Sequence, residues 1–288
     1  MLKKNTAVVG VIHPQVHKFL PCYLKSLSNQ TFKDFDLILF DDRLKDKKIF
    51  SKFTNLNVEI NAVNGSPSEN RNSIIKYIKN SNYDFIIFTD CDDSFSKNRL
   101  EISLKKLEKS KIVLNDLNLV NKNKKTKMNY FSKRIANDSV FSIEDLYHFN
   151  LLGFTNTSLR RGVLENIPPL KNNLEIFDWY FWTNLLLRGE TAVFTNETTT
   201  NYRIHSENTT GLPQPLNRKL IMNAIKVKKD HYHAFSHYND TFKKLYETFN
   251  YIHIMSKNKS WQDEYIHFLK KHKSHNPFWW ENIRPHES

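Results

Sequence analysis

The amino-acid sequence predicts an α/β fold, with a mainly parallel central sheet flanked by helices and a helical C-terminal appendage. Three observations support this prediction. Short apolar segments alternate with amphipathic ones in the first half of the chain, which is typical of strands joined by crossover helices. Two of the apolar segments end in groups of aspartates, and the part after Pro215 is rich in Lys, His and aromatic residues.

Four segments have the β-branched and aromatic residues of buried strands. They are residues 6–12, 36–40, 58–62 and 84–88. Between them, apolar residues recur at helical spacing around Leu24 and Ile75, which predicts two crossover helices.

The segments that follow extend the pattern. We predict a helix from Lys97 to Lys109, a strand at "KIVLND" and a core-packed helix over residues 177–187. Residues 121–127 contain no apolar side chain and predict an exposed loop or a hairpin turn. We place a domain boundary between residues 1–211 and a helical, basic and aromatic region of residues 212–288.

Composition bounds the class of protein. A chain of 288 residues with 39% hydrophobic and 25% charged residues can bury one sizeable core. Its two cysteines do not form a disulfide framework, and no apolar stretch reaches the roughly 20 residues of a membrane helix. The net charge of +13 favours phosphate-rich partners: a nucleic acid, an anionic bilayer or a phosphorylated substrate.

The clearest functional signal is the acidic cluster that follows the predicted strand at 84–88. Asp90, Asp92 and Asp93 stand where ligands bind in open α/β sheets, beyond the carboxyl end of a strand. Carboxylates this close repel one another unless a cation or hydrogen-bond donors offset the repulsion. Mg²⁺ or Mn²⁺ suits such oxygen ligands and completes its shell with substrate phosphates. The alternative is an acidic helix start in which Asp93 or Ser94 is the N-cap.

Two further groups fit a nucleotide site at the same edge of the sheet. Asp41 and Asp42 end the second strand and could accept hydrogen bonds from a base or a ribose, or serve as simple turn residues. Arg71 begins a helix and could meet phosphate or form a surface salt bridge. The six glycines form neither a Walker A nor a GxGxxG pattern, so ATP-type phosphate loops and dinucleotide folds are excluded.

Over about residues 6–211, these segments together resemble the family 2 glycosyltransferases, inverting enzymes of the GT-A fold. The motifs that carry the resemblance are "SLSNQT", "LILFDD", Arg71-Asn72, the DxD signature at Asp90-Cys91-Asp92-Asp93, "EIFDWYFWTNLLLRG" and "NYRIHSENTTG". The chain departs from the family pattern at "HPQVHKF" and at Arg43-Leu44, which follow the first and second strands.

The resemblance implies roles for individual residues. Asp178 corresponds to the catalytic base, although the acid that usually precedes it is Phe177 here. The donor-binding residues would be Asp41, Asp42, Arg71 and Asp90. The ligands of Mn²⁺ or Mg²⁺ would be Asp90, Asp92, Asp93 and His205.

The implied activity is inverting transfer of a sugar from a nucleotide-sugar donor to an acceptor hydroxyl, in the synthesis of a bacterial surface glycan such as capsule or lipopolysaccharide. We expect a glycan or a lipid-linked acceptor and a cytoplasmic protein with peripheral contact at the inner face of the plasma membrane. A sugar-phosphate nucleotidyltransferase is the alternative enzyme, but the chain lacks its Gly-rich N-terminal loop. A nucleic-acid-binding module is disfavoured by the absence of a helix-turn-helix, zinc-finger or RNP signature, so we expect no nucleic-acid partner.

The C-terminal region allows two interpretations. It could dock on an anionic membrane through its lysines, with Trp279 and Trp280 at the interface, or hold a lipid-linked or polymeric acceptor near the active site. Alternatively, its aromatic residues pack onto the main domain or onto a second copy of the chain as a homo-oligomer, which leaves the lysines in water.

Overall fold

The computed structural model describes residues 5–44, 46–121, 124–171, 174–206, 208, 212 and 216–286, without the side chains of residues 124 and 125. The strands are β1 (Thr6–Ile12), β2 (Asp36–Asp41), β3 (Asn57–Ala62), β4 (Phe85–Asp90), β5 (Ser94–Phe95), β6 (Ile112–Asn121), β7 (Lys124–Lys127), β8 (Val140–Phe141), β9 (Thr157–Arg160) and β10 (Ala192–Ile204). The helices are α1 (Leu20–Ser28), α2 (Pro67–Lys79), α3 (Arg99–Leu107), α4 (Phe177–Leu186), α5 (Arg218–Phe235), α6 (Asp240–Met255) and α7 (Lys259–Lys271).

The described strands form one mixed sheet whose main order is β3-β2-β1-β4-β9-β6-β10-β5. The first four are parallel, β9 is antiparallel to both of its neighbours, and β6 is parallel to β10. The chain leaves β1 toward β2 and β3 on one side and returns to place β4 on the other. The carboxyl ends of β1 and β4 therefore form the kind of switch point at which open α/β sheets bind ligands.

The predicted α/β class, its four parallel strands and its three C-terminal helices are confirmed. For residues 121–127 we predicted either an exposed loop or a hairpin turn. The structure shows the hairpin arrangement, because β7 pairs antiparallel with β6, although residues 122 and 123 lie outside the described residues. The domain boundary predicted after Gly211 also falls outside them. The sequence reasoning missed β5, β8 and β10, which are short or rich in polar residues.

The C-terminal helices share a hydrophobic core with the sheet. One cluster of buried residues runs from the sheet through α4 to α5, α6 and α7, and includes Trp179, Tyr232, Phe249 and Tyr265. The opposite face of the sheet buries α1 and α3 against a smaller cluster. None of the described helices has both the length and the hydropathy that a membrane crossing requires.

The interpretation of Trp279 and Trp280 as membrane-interface anchors is wrong. The two residues are 7% and 4% exposed, because both pack in the core that the C-terminal region shares with the sheet. Packing of these aromatic residues onto the main domain is the alternative that the structure adopts.

Gly10 provides a test of how closely β1 approaches β4. A Cβ at this position would lie 2.9 Å from Thr89 Oγ1 and 3.1 Å from the Tyr23 hydroxyl, and these two groups hydrogen-bond to each other at 2.8 Å. We expect Gly10→Ala to lower the free energy of unfolding by about 1–3 kcal/mol, since a packed core must shift to admit the methyl group. Urea denaturation measures the change.

Gly162→Ala is the matched control. A Cβ at Gly162 meets no described atom within 4 Å, so the free energy of unfolding should change by no more than about 0.5 kcal/mol. If Gly10→Ala were as stable as wild type, β1 and β4 would not be packed as described.

Candidate active site

Five of the predicted site residues line one cavity of about 350 Å³ at the carboxyl ends of β1 and β4. They are Arg71, Asp90, Asp92, Asp178 and His205. The cavity thus brings together side chains from α2, the end of β4, the start of α4 and the residue after β10.

Arg71 links α2 to the end of β4. A capping box between Ser66 and Glu69 fixes the start of α2. Arg71 Nη2 forms an ion pair with Asp90 Oδ1, and the guanidinium lies 4.6 Å from the centre of the Phe154 ring. Its buried Nη1 has no hydrogen-bond partner among the described residues, so this nitrogen can still donate to a ligand.

Asp178 stands in the first turn of α4, beside this ion pair. The Phe154 backbone N–H donates to Asp178 Oδ2 at 3.3 Å. Burial raises the pKa of Asp178 to about 6, while the positive charge of Arg71 opposes the rise. A carboxylate in this range is well matched to proton transfer near neutral pH.

Asp92 and His205 form a second pair in the cavity. His205 Nε2 lies 2.8 Å from Asp92 Oδ2, and the side chains are 12% and 15% exposed. Strand β10 fixes their spacing, because Arg203 Nε donates to the Asp92 carbonyl at 2.8 Å two residues before His205. A carboxylate oxygen and an imidazole nitrogen therefore lie side by side at the cavity wall.

Asp93 does not join that pair. Its Oδ2 accepts a hydrogen bond from the Thr155 hydroxyl, and its Oδ1 accepts one at 2.7 Å from the Arg203 backbone N–H. Burial, followed by the charges of Asp92 and Asp90, raises the pKa of Asp93 well above its usual range. Within the described part of the chain, no three His, Cys, Asp or Glu side chains are grouped to hold a metal ion.

The carboxylates of Asp41 and Asp42 accept hydrogen bonds within the turn after β2. The Asp42 carboxylate accepts from Arg43 Nε at 2.6 Å and from Nη2 at 3.1 Å, and these hydrogen bonds lower its pKa. Arg43 has the left-handed φ of 65° that this turn requires. Asp41 accepts from the Leu44 backbone N–H at 2.7 Å. Neither aspartate lines the cavity as described.

Sequence reasoning missed His13 and the two C-terminal tryptophans, all of which line the cavity. His13 directly follows β1 and lies 3.9 Å from Asp42, so the strand-end rule that selected the aspartates also applies to it. Burial and the charge of Arg71 lower its pKa. Trp279 and Trp280 come from about 100 residues beyond Asp178 and carry no local signal of this position.

The sequence profile of glycosyl transferase family 2 matches residues 14–167, more than half of the chain. The chain belongs to glycosyl transferase family 2. The resemblance identified from the sequence motifs is therefore confirmed. A sequence comparison with proteins of curated function gave no match.

Solved structures of glycosyltransferases share the fold. S. aureus TarS superposes with a TM-score of 0.58 at 18% identity, over 79% of this chain and 39% of TarS. TarS 1–349 in complex with UDP-GlcNAc gives 0.62 at 16% identity, over 86% and 72% of the two chains. The mannosyltransferase PcManGT from Pyrobaculum calidifontis, in complex with GDP-Man and Mn²⁺, gives 0.62 at 11% identity, over 93% and 74%. The predicted GT-A architecture is thereby confirmed.

Replacing Arg71 tests the electrostatic coupling within the site. Because Arg71 lowers the pKa of Asp178, Arg71→Met should move the Asp178 titration midpoint upward from about 6. Carboxyl ¹³C NMR of labelled protein measures the midpoint. Arg43→Met is the control: it should raise the pKa of Asp42, whose main partner is Arg43, and leave that of Asp178 in place. An unchanged Asp178 midpoint in Arg71→Met would refute the coupling.

Proposed function

We propose that this family 2 glycosyltransferase is an inverting enzyme that moves a sugar from a nucleotide-sugar donor to an acceptor hydroxyl with the help of Mn²⁺ or Mg²⁺. The observation that carries the proposal is a carboxylate of raised pKa, Asp178, in the same cavity as Arg71 and the Asp92–His205 pair. We place the reaction in bacterial surface-glycan synthesis, such as that of capsule or lipopolysaccharide, with a glycan or lipid-linked acceptor.

The Asp92 and His205 atoms that face the cavity support the binding of a divalent metal. Asp92 offers a hard oxygen and His205 an imidazole nitrogen, and Mn²⁺ or Mg²⁺ fills the rest of its shell with phosphate oxygens and water. Such an ion, when bound, neutralises charge on the departing diphosphate. Both oxygens of Asp93 accept hydrogen bonds from protein groups, so we assign it to holding the loop and not to the metal.

Arg71 and Asp90 are the proposed donor contacts. The buried Nη1 of Arg71 can donate to the nucleotide or a phosphate oxygen, while Asp90 holds the guanidinium in place. For Asp41 and Asp42, contact with the nucleoside stays a prediction, since both carboxylates accept hydrogen bonds within their own turn.

Asp178 is the proposed catalytic base. Its carboxylate takes the proton of the acceptor hydroxyl as that oxygen bonds to the anomeric carbon, and the bond to the nucleoside diphosphate breaks on the opposite face. The configuration at the anomeric carbon is thereby inverted. Arg71 keeps Asp178 ionised at neutral pH despite its burial.

Two of the similar structures support the choice of ligands. TarS 1–349 was solved with UDP-GlcNAc, and PcManGT with GDP-Man and Mn²⁺. The present chain spans 39% of the longer TarS structure, so the activity of TarS as a whole is not assigned to it.

Thermal-shift screening of UDP-, GDP-, CMP- and dTDP-sugars, with and without Mn²⁺, tests the donor proposal. We expect one metal-dependent stabiliser, because a ligand that binds only the native state raises apparent stability. Asp92→Asn should raise the Mn²⁺ concentration needed for half of this effect by about tenfold or more, since a ligand charge is lost without a change of volume. Asp34→Asn, at an exposed position, is the matched control. Wild-type Mn²⁺ dependence in Asp92→Asn would rule out this residue as a ligand.

Asp178→Asn tests the catalytic base. Turnover of the donor found in that screen should fall by about 10²–10⁴-fold, because an amide cannot accept the proton. In the wild type, kcat/KM should rise with pH through about 6 as Asp178 ionises, and this rise should disappear in the variant. Release of nucleoside diphosphate is the measurement. If Asp178→Asn kept wild-type turnover or the same pH profile, Asp178 would not be the base.

A further inference from the structure

A second cavity, separate from the catalytic one, lies in the C-terminal region. Its volume is about 460 Å³, and none of its described lining residues also lines the catalytic cavity. Lys228 of α5, Phe268 of α7 and Ile283 of the C-terminal segment, residues 274–286, contribute to its wall. A cavity of this size is within the range that binds small organic molecules.

The wall of this second cavity combines apolar and basic side chains. The apolar residues are Phe149, Phe268, Ile283 and Pro285. The basic residues are His148, Lys228, His272 and Arg284. Glu281 is the one acidic residue among the described lining residues, so positive charge predominates.

Lys228 places an ammonium group at the inner end of the cavity, since the residue lines it and is only 1% exposed. Its Nζ donates to the His148 carbonyl at 2.6 Å and to the Ile283 carbonyl at 2.7 Å, and lies 5.2 and 5.8 Å from the ring centres of Phe249 and Trp179. No carboxylate of the described residues forms an ion pair with it. Because an ammonium has three hydrogens, one donor remains for a ligand.

The pKa of Lys228 reflects the missing counter-ion. Burial, together with the positive charge of Arg284, lowers this pKa to about 7, although the charge of Glu281 opposes the change. The charge of Lys228 in turn adds to the effect of burial in lowering the pKa of His148 and of His231. An anion in the cavity would stabilise the ammonium and raise its pKa.

The acidic residue of the cavity already has a partner of its own. Arg134 forms a bidentate ion pair with Glu281 at 2.6 and 2.8 Å. Arg284 donates from Nη2 to the Ser274 hydroxyl and from Nε to the Glu281 carbonyl at 3.4 Å, which leaves its Nη1 without a hydrogen-bond partner among the described residues. Lys228 and Arg284 are therefore two cations of one cavity that lack a paired carboxylate.

We propose that this second cavity binds a small organic carboxylate, with the carboxylate held between Lys228 and Arg284 and the apolar body against Phe149 and Phe268. Both phenylalanines are partly exposed, so part of each ring is open to a ligand. One free donor on each cation matches the two oxygens of a carboxylate, whereas a phosphate group has three oxygens to satisfy. The inference goes beyond the proposed function and does not depend on it, because the two cavities are separate.

Isothermal titration calorimetry on the full chain at pH 6 and pH 8 tests this site. The probes are benzoate, phenylacetate and hexanoate, with their amides as neutral isosteres and phenyl phosphate as the comparison for the anionic group. We expect at least one carboxylate to bind at least about tenfold more tightly than its amide, because only the carboxylate can pair with the two cations.

Carboxylate binding should also be linked to protonation of Lys228. The probes stay ionised between pH 6 and pH 8, whereas Lys228 loses most of its charge over this range. Affinity should therefore fall by about tenfold from pH 6 to pH 8. At pH 8, titrations in buffers of different ionisation enthalpy should show the uptake of about one proton for each carboxylate bound.

Three variants assign these effects to residues. Lys228→Met should weaken carboxylate binding by about tenfold or more and abolish the proton uptake, while the histidines of the cavity remain. Arg284→Met, at a partly exposed position, should weaken binding by about three- to tenfold and is the deciding variant if Lys228→Met does not fold. Lys229→Met changes the next residue of α5, whose side chain is 23% exposed, and should leave affinity and proton uptake unchanged. Circular dichroism melting verifies that each variant is folded.

Four results would overturn the proposal: no binding of any probe carboxylate, equal binding of carboxylates and amides, tighter binding of phenyl phosphate than of every carboxylate, or wild-type affinity in the folded Lys228 and Arg284 variants. Carboxylate binding without proton uptake at pH 8 would also contradict it, since Lys228 would then not be the partner of the bound anion.

Discussion

The positive charge of Arg71 is the interaction on which the rest of the site depends. Asp90 and Asp178 both lie beside it, and like charges in a buried cavity would otherwise favour protonation of one carboxyl group. The guanidinium is fixed by the capped start of α2, by the ion pair with Asp90 and by the Phe154 ring. Helix, strand end and aromatic core therefore cooperate to keep the proposed base ionised while it is shielded from water.

Strand β10 supplies the second half of the arrangement. Its Arg203 backbone binds Asp93, its Arg203 side chain binds the Asp92 carbonyl, and the residue after the strand's end places His205 against the Asp92 carboxylate. Asp93 thus holds the loop after β4 in place, and Asp92 of the same loop faces the cavity. On the other side, Trp279 and Trp280 of the C-terminal segment line the cavity, and the same two residues belong to the core that the helical region shares with the sheet.

Much of this organisation follows from local sequence signals. The strands that end near Asp41 and Asp90 were predictable because apolar β-branched runs lead into aspartates, and the family motifs identified Arg71, Asp178 and His205 as members of one site. The different roles of Asp92 and Asp93 were not predictable, since they depend on which carboxylate oxygens accept hydrogen bonds from β10. The position of Trp279 and Trp280 at the cavity was not predictable for a similar reason. It arises from long-range contacts such as that of Trp279 with Asn150, for which sequence spacing gives no sign.

A crystal structure with Mn²⁺ and the nucleotide sugar that stabilises the protein would test the central claim most directly, with anomalous scattering used to locate the manganese. The account predicts one strong anomalous peak beside Asp92 and His205, the diphosphate next to Arg71, and the anomeric carbon turned toward Asp178. Manganese bound away from Asp92 and His205, or a sugar that points away from Asp178, would contradict it.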